Sequence, residues 1–117
     1  FTGRKMKSEA LLHEVQGVVN CAAELVNASQ EALHSPHEAY AVLKEKFEGA
    51  REKLRQTKLF IRDFWEHVKE GNAAYYAESL MTTRDCAIEC AVEAIRIAMT
   101  AQNTIDCIEK ANKQGEI

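Results

Sequence analysis

The chain has one proline, Pro36, and only five glycines in 117 residues. Tight turns draw on proline's fixed φ and on glycine's freedom at positive φ. So small a supply of both argues against an all-β fold. Aromatic residues are also few, at 7%, and they are not interleaved with basic clusters. Together with a net charge of −3, that disfavours a nucleic-acid partner. No uncharged apolar run reaches the ~18–20 residues that cross a bilayer. There is no Gly-rich phosphate loop, nucleophile elbow, HExxH or paired CxxC, so no motif points to catalysis or to a cofactor. Four cysteines are too few for a small disulfide scaffold and do not fix a compartment. Asn27-Ala28-Ser29 has the pattern of a glycosylation acceptor.

What remains is helical periodicity. The length suits one domain, residues 1–117, with a real core. A first helix is expected from about residue 6 to 33. Leu11, Val18, Leu25 and Ala32 recur every seven residues, and so do Leu12, Val19, Val26 and Leu33. Ser35-Pro36-His37-Glu38 then reads as an N-cap, a proline at the first helical position and a capping-box glutamate. A second helix therefore starts at 36 and runs to 70, stopped by Gly71. Its seam, Tyr40, Leu43, Phe47, Ala50, Leu54, Thr57, Ile61, Phe64 and Val68, alternates steps of three and four, the spacing of bundle helices. Asn72 is placed to cap a third helix, over about 73–112.

Within the third helix, residues 85–102 are the most apolar stretch of the chain. Asp85, Glu89, Glu93, Arg96, Thr100 and Asn103 share one narrow polar strip. The other ~240° carries Cys, Ala, Ile, Val and Met. The expected seam is Ala87, Ala91, Ala94, Ala98, Ala101, Ile105 and Ile108, small enough to bring a neighbouring backbone close. Ile88, Val92, Ile95 and Met99 flank it on one side, and Cys90 and Ile97 on the other. The fold class these patterns give is all-α: an elongated, up-down-up antiparallel three-helix bundle, ~45–60 Å long. Self-association is one way to cover its surplus apolar arc.

Three candidate sites follow. The edge formed by Cys86, Cys90 and Ile97, with the Ile88, Val92, Ile95 and Met99 flank, is the part of the third helix expected to need a covering partner. On the second helix, Lys44, Arg51, Arg55, Lys58, Arg62 and Lys69 fall within a ~60° wedge. That wedge reads as a rail for an acidic partner or, more plainly, as a solvated face with ion pairs. Level counting in the bundle sets Cys21 beside Cys86 and Cys90. Such a group has three readings: a Cys21–Cys90 disulfide, a thiolate site for a soft metal, or small apolar packing. His34, His37 and Cys107 match no established zinc spacing. Trp65, Tyr75 and Tyr76 gather near the Gly71 turn, either closing the core or anchoring a partner.

The function expected from these features is a non-catalytic helical interaction or assembly module, binding a protein partner or itself and needing no cofactor. The alternative is a thiol-based metal or redox bundle at Cys21, Cys86 and Cys90. A weaker one is attachment to a lipid surface, for which the polar strip of the third helix lacks the usual basic residues.

Overall fold

The computed structural model describes residues 2–28 and 35–113, with side-chain surroundings for 8–25 and 35–113. The fold is an all-α helical bundle: α1 spans Thr2–Ala28, α2 spans Pro36–Glu70 and α3 spans Tyr76–Lys113. A single 3₁₀ turn, Ala73–Tyr75, leads into α3. There is no strand among the described residues, and no described helix is long and apolar enough to cross a membrane. The expected C-terminal turn of the first helix, residues 29–33, lies outside the described residues, as do the Asn27 acceptor side chain with Ser29, and His34.

Local chemistry sets the ends of α2. The Ser35 Oγ accepts the Glu38 backbone N–H at 3.1 Å, and the Ser35 carbonyl accepts from Ala39. One orphan donor of the first turn is thus satisfied and Pro36 follows the cap, as the sequence requires. At the far end the Gly71 N–H bonds to the Val68 carbonyl and the Asn72 N–H to the His67 carbonyl. This pair of bonds is a Schellman closure, with Gly71 at φ 72° supplying the left-handed residue that the motif needs. Asn72 does not cap the next element; its side-chain amide donates to Glu70 instead.

The chain falls into two compact units. One takes in α1, α2 up to Lys44 and α3 from Ile95 onward; the other is the helical hairpin Glu45–Ala94. In the first unit, Ala23, Ala39, Thr100 and Asn103 are buried. The Thr104 hydroxyl donates back to the Thr100 carbonyl at 2.8 Å. The Asn103 Oδ1 is buried without a hydrogen-bond partner among the described residues. A hollow of about 740 Å³ runs between α1, from Leu12 to Asn20, and Ala98 and Gln102 of α3.

In the hairpin unit α2 and α3 run antiparallel in strict register. Gly49 lies beneath the Glu93 side chain, and the Cys90 Sγ–H donates to the Ala50 carbonyl at 3.4 Å. Lys53 pairs with Glu89, Ser79 with Asp63, Tyr76 with Phe64 and Tyr75 with His67. Each advance along α2 is matched residue for residue by a retreat along α3. Between Phe60 and Phe64 at the turn end and Gly49 at the other, the seam is largely small and polar: Gly49, Ala50, Thr57, Ser79, Thr83, Cys86 and Cys90. Its threonine hydroxyls cost little to bury because each bonds the carbonyl four residues back, Thr57 to Lys53 and Thr83 to Ser79.

This is not the seam expected from the sequence. The α2 residues that meet α3 are Lys53, Thr57, Phe60, Phe64 and His67, whereas Tyr40, Phe47, Leu54 and Ile61 are exposed. On α3, Cys86 is buried and Cys90 half-buried, while Ala87, Ala91 and Ala94 face solvent. Each helix is turned by about one residue, ~100°, from the expected frame. Two heptad frames overlap in α2 and share Ala50, Thr57 and Phe64. The one that carries Lys53, Phe60 and His67 forms the interface because its α3 counterparts, Ser79, Cys86 and Cys90, are small enough for close approach.

Candidate functional site

That rotation leaves a second heptad row of α2 uncovered. Phe47, Leu54 and Ile61 recur every seven residues and are 56%, 61% and 53% exposed. Leu80, Ala87, Ala91 and Ala94 form a matching outward row on α3. Relative to the seam both rows lie at about +60 to +120° along their helices. Because the helices are antiparallel, equal rotations bring both rows to one face of the hairpin. The result is an apolar trough, bulky on the α2 side and small on the α3 side. A hollow of about 440 Å³ opens on it, lined by Leu54, Ile61, Thr57 and the stems of Arg51, Arg55 and Lys58.

The trough is edged by cations. Arg51, Arg55, Lys58, Arg62 and Lys69 all lie exposed just beyond the Phe47–Ile61 row. Arg55 is bound to Glu52, with its Nε and Nη2 donating at 2.9 and 2.6 Å. Lys69 pairs with Glu66 at 2.9 Å and sits 5.9 Å from the Trp65 ring centre. Arg51, Lys58 and Arg62 have no carboxylate within ion-pair distance among the described residues. Lys44, the remaining member of the basic wedge, belongs to the other unit. On the α3 edge of the trough, Arg84 pairs with Asp85.

The opposite face of the hairpin is acidic. It carries Glu45, Glu52, Asp63 and Glu70 from α2 and Glu78, Asp85 and Glu89 from α3, all exposed. The hydrogen bond from Arg55 holds the Glu52 carboxyl down at about 2, helped by Gln56 and by the charges of Arg55 and Lys53. The bond to Glu89 raises Lys53 above the ordinary lysine range.

The aromatics at the turn divide between two roles. Tyr76 meets Phe64 edge-on at 5.6 Å and Tyr75 stacks on His67 at 5.1 Å, closing the end of the hairpin. Trp65 stays 56% exposed on the outside.

One polar cluster has no signature in the sequence. Asp63 accepts the Ser79 hydroxyl hydrogen at 2.7 Å and lies 3.6 Å from His67 Nε2, around a hollow of about 290 Å³. The spacing in sequence gives no hint of it, since only the hairpin register joins residue 63 to residue 79. The hydroxyl hydrogen is directed at the carboxylate, which makes the group a clasp between the helices.

Of the expected edge on the third helix, Cys86, Cys90 and Ile97 do not face outward: Cys86 is buried, and Cys90 and Ile97 are half-buried. Ile88 and Val92 are exposed, and Ile95 and Met99 are half-buried. None of Cys21, Cys86, Cys90 and Cys107 is in a disulfide, so the Cys21–Cys90 bridge is not formed here. Among the described residues no three His, Cys, Asp or Glu side chains are grouped to hold a metal. Compared with family models, curated proteins and solved structures, the chain matches none.

Proposed function

We propose that the chain is a non-catalytic helical interaction module whose working surface is the trough on the Glu45–Ala94 hairpin. The observation that carries this reading is the exposed row Phe47, Leu54 and Ile61 beside Leu80, Ala87, Ala91 and Ala94. Isolated exposed leucines are ordinary. A continuous two-helix face with heptad spacing on both sides is the arrangement that accepts a further helix in a bundle. The bonds and ring contacts that join α2 to α3 in the hairpin do not use this row. The trough is therefore free to serve a partner.

The reading is tested by selecting helical peptides from a random displayed library against the folded chain. Enriched peptides are expected to bind the wild type and to lose at least tenfold in affinity against Leu54→Glu. Circular dichroism of that variant is expected to match the wild type, since Leu54 is exposed. Failure to enrich any peptide, or peptides that bind the variant equally well, contradicts the proposal.

A further inference from the structure

The part of the rim nearest the trough, Arg51, Lys58 and Arg62, is basic, and that identifies what fits it. We infer that its partner is an amphipathic helix whose apolar ridge is edged by Asp or Glu. The inference rests on the docking role proposed above and adds the partner's chemistry.

Arg51, Lys58 and Arg62 stand along the α2 edge, with no carboxylate within ion-pair distance among the described residues. Arg55 and Lys69 extend the same edge. No acid lines the trough itself; Glu48 and Glu66 stand at the outer side of the basic rim, Glu66 paired with Lys69, and the other exposed carboxylates of the hairpin lie on the opposite face. A helix laid in the trough brings the residues beside its apolar ridge against this rim. Carboxylates there meet unpaired cations over three turns of α2, whereas lysines meet like charge.

The same pattern argues against a second copy as occupant. Two hairpins packed trough to trough set the α2 rim against either the partner's α2 rim or its α3 edge. The α3 edge offers Ala77, Arg84, Ile88 and Ala91, none of them acidic. Either pairing leaves the cations uncomplemented or opposed.

An anionic membrane shares the charge but not the shape. Apart from Leu80 at one end, the α3 row of the trough is alanine, which gives acyl chains less apolar area than a row of leucines would. It does let a rigid helix come close, as small residues do at helix contacts.

The test uses two synthetic four-heptad peptides with the same leucine ridge, one with glutamate and one with lysine at the flanking positions, titrated into the full chain. The glutamate peptide is expected to bind at least tenfold more tightly. Its affinity is expected to fall about tenfold in 1 M salt, where screening length drops to ~3 Å. The triple variant Arg51→Gln, Lys58→Gln, Arg62→Gln should fold normally and bind the two peptides alike.

Equal binding of both peptides by the wild type overturns the acidic-partner inference and leaves the docking role standing. If neither peptide binds, the docking role falls with it. Flotation with phosphatidylserine vesicles in the absence of peptide binding assigns the face to a membrane and overturns the inference. So does a dimer by light scattering that Leu54→Glu dissociates, which assigns it to a second copy.

Discussion

Lys53 of α2 and Glu89 of α3 close at 2.7 Å across the hairpin, in the register that also brings the Cys90 thiol to the Ala50 carbonyl. The pair bridges the polar side of the seam, away from the apolar trough. Lys53→Glu or Glu89→Lys alone should lower the urea midpoint, since each places like charges together. The double exchange should recover most of the loss, and 1 M salt should shrink both effects. Urea melts of the four proteins check this, and absence of recovery would contradict the register.

Ser79 is buried and its hydroxyl serves the half-exposed Asp63 carboxylate at 2.7 Å. Ser79→Ala removes one charge-assisted hydrogen bond without leaving a buried orphan, because Asp63 can return to water. The expected cost is about 1 kcal/mol. Chemical denaturation followed by circular dichroism measures it, and an unchanged midpoint would remove Ser79–Asp63 from the forces that set the hairpin.

Glu52 titrates at about 2 rather than at its ordinary 4.5, because Arg55 binds the charged form. A depressed carboxyl contributes stability above its unfolded value, and that contribution is lost as the pH falls through the folded value. Its share should therefore be intact at pH 5 and above and fade between pH 4.5 and 2. Arg55→Gln should move the Glu52 midpoint back towards 4.5, as read from the side-chain carboxyl carbon in an NMR titration. A midpoint that stays low in the variant would contradict the assigned cause.

Gly71 holds φ 72° in the closure that ends α2. Nothing crowds a Cβ there, so the penalty for Gly71→Ala is conformational alone. The expected loss is about 1 kcal/mol, read from the same denaturation experiment. A neutral result would mean that the turn can form without a left-handed residue.

Much of the helix layout was legible in the sequence because it rests on local chemistry. Ser35, Pro36 and Gly71 act within one turn of their own position, and α2 begins and ends where they place it. The start of α3 was less legible, since the 3₁₀ turn Ala73–Tyr75 depends on Tyr75 and Tyr76 reaching back to His67 and Phe64. Which face of each helix meets the other was not legible. In α2 the frames through Phe47 and through Lys53 differ by a single residue and share three members. Hydrophobicity favours the first, whereas close approach across Gly49, Ala50, Ser79, Cys86 and Cys90 selects the second. The basic wedge from Arg51 to Lys69 was visible as a stripe, but its position on the rim of an apolar trough follows only from that rotation. The Ser79–Asp63 clasp is a purely tertiary pairing.

A partner helix is expected to dock on the trough and not elsewhere on the hairpin. Amide chemical-shift mapping with the glutamate-edged peptide tests it most directly. The largest shifts should fall on Phe47, Arg51, Leu54, Lys58, Ile61, Ala87 and Ala91, with Glu45, Glu52, Asp63 and Glu78 left in place. Shifts centred on the acidic face, or spread evenly over both helices, would contradict the claim.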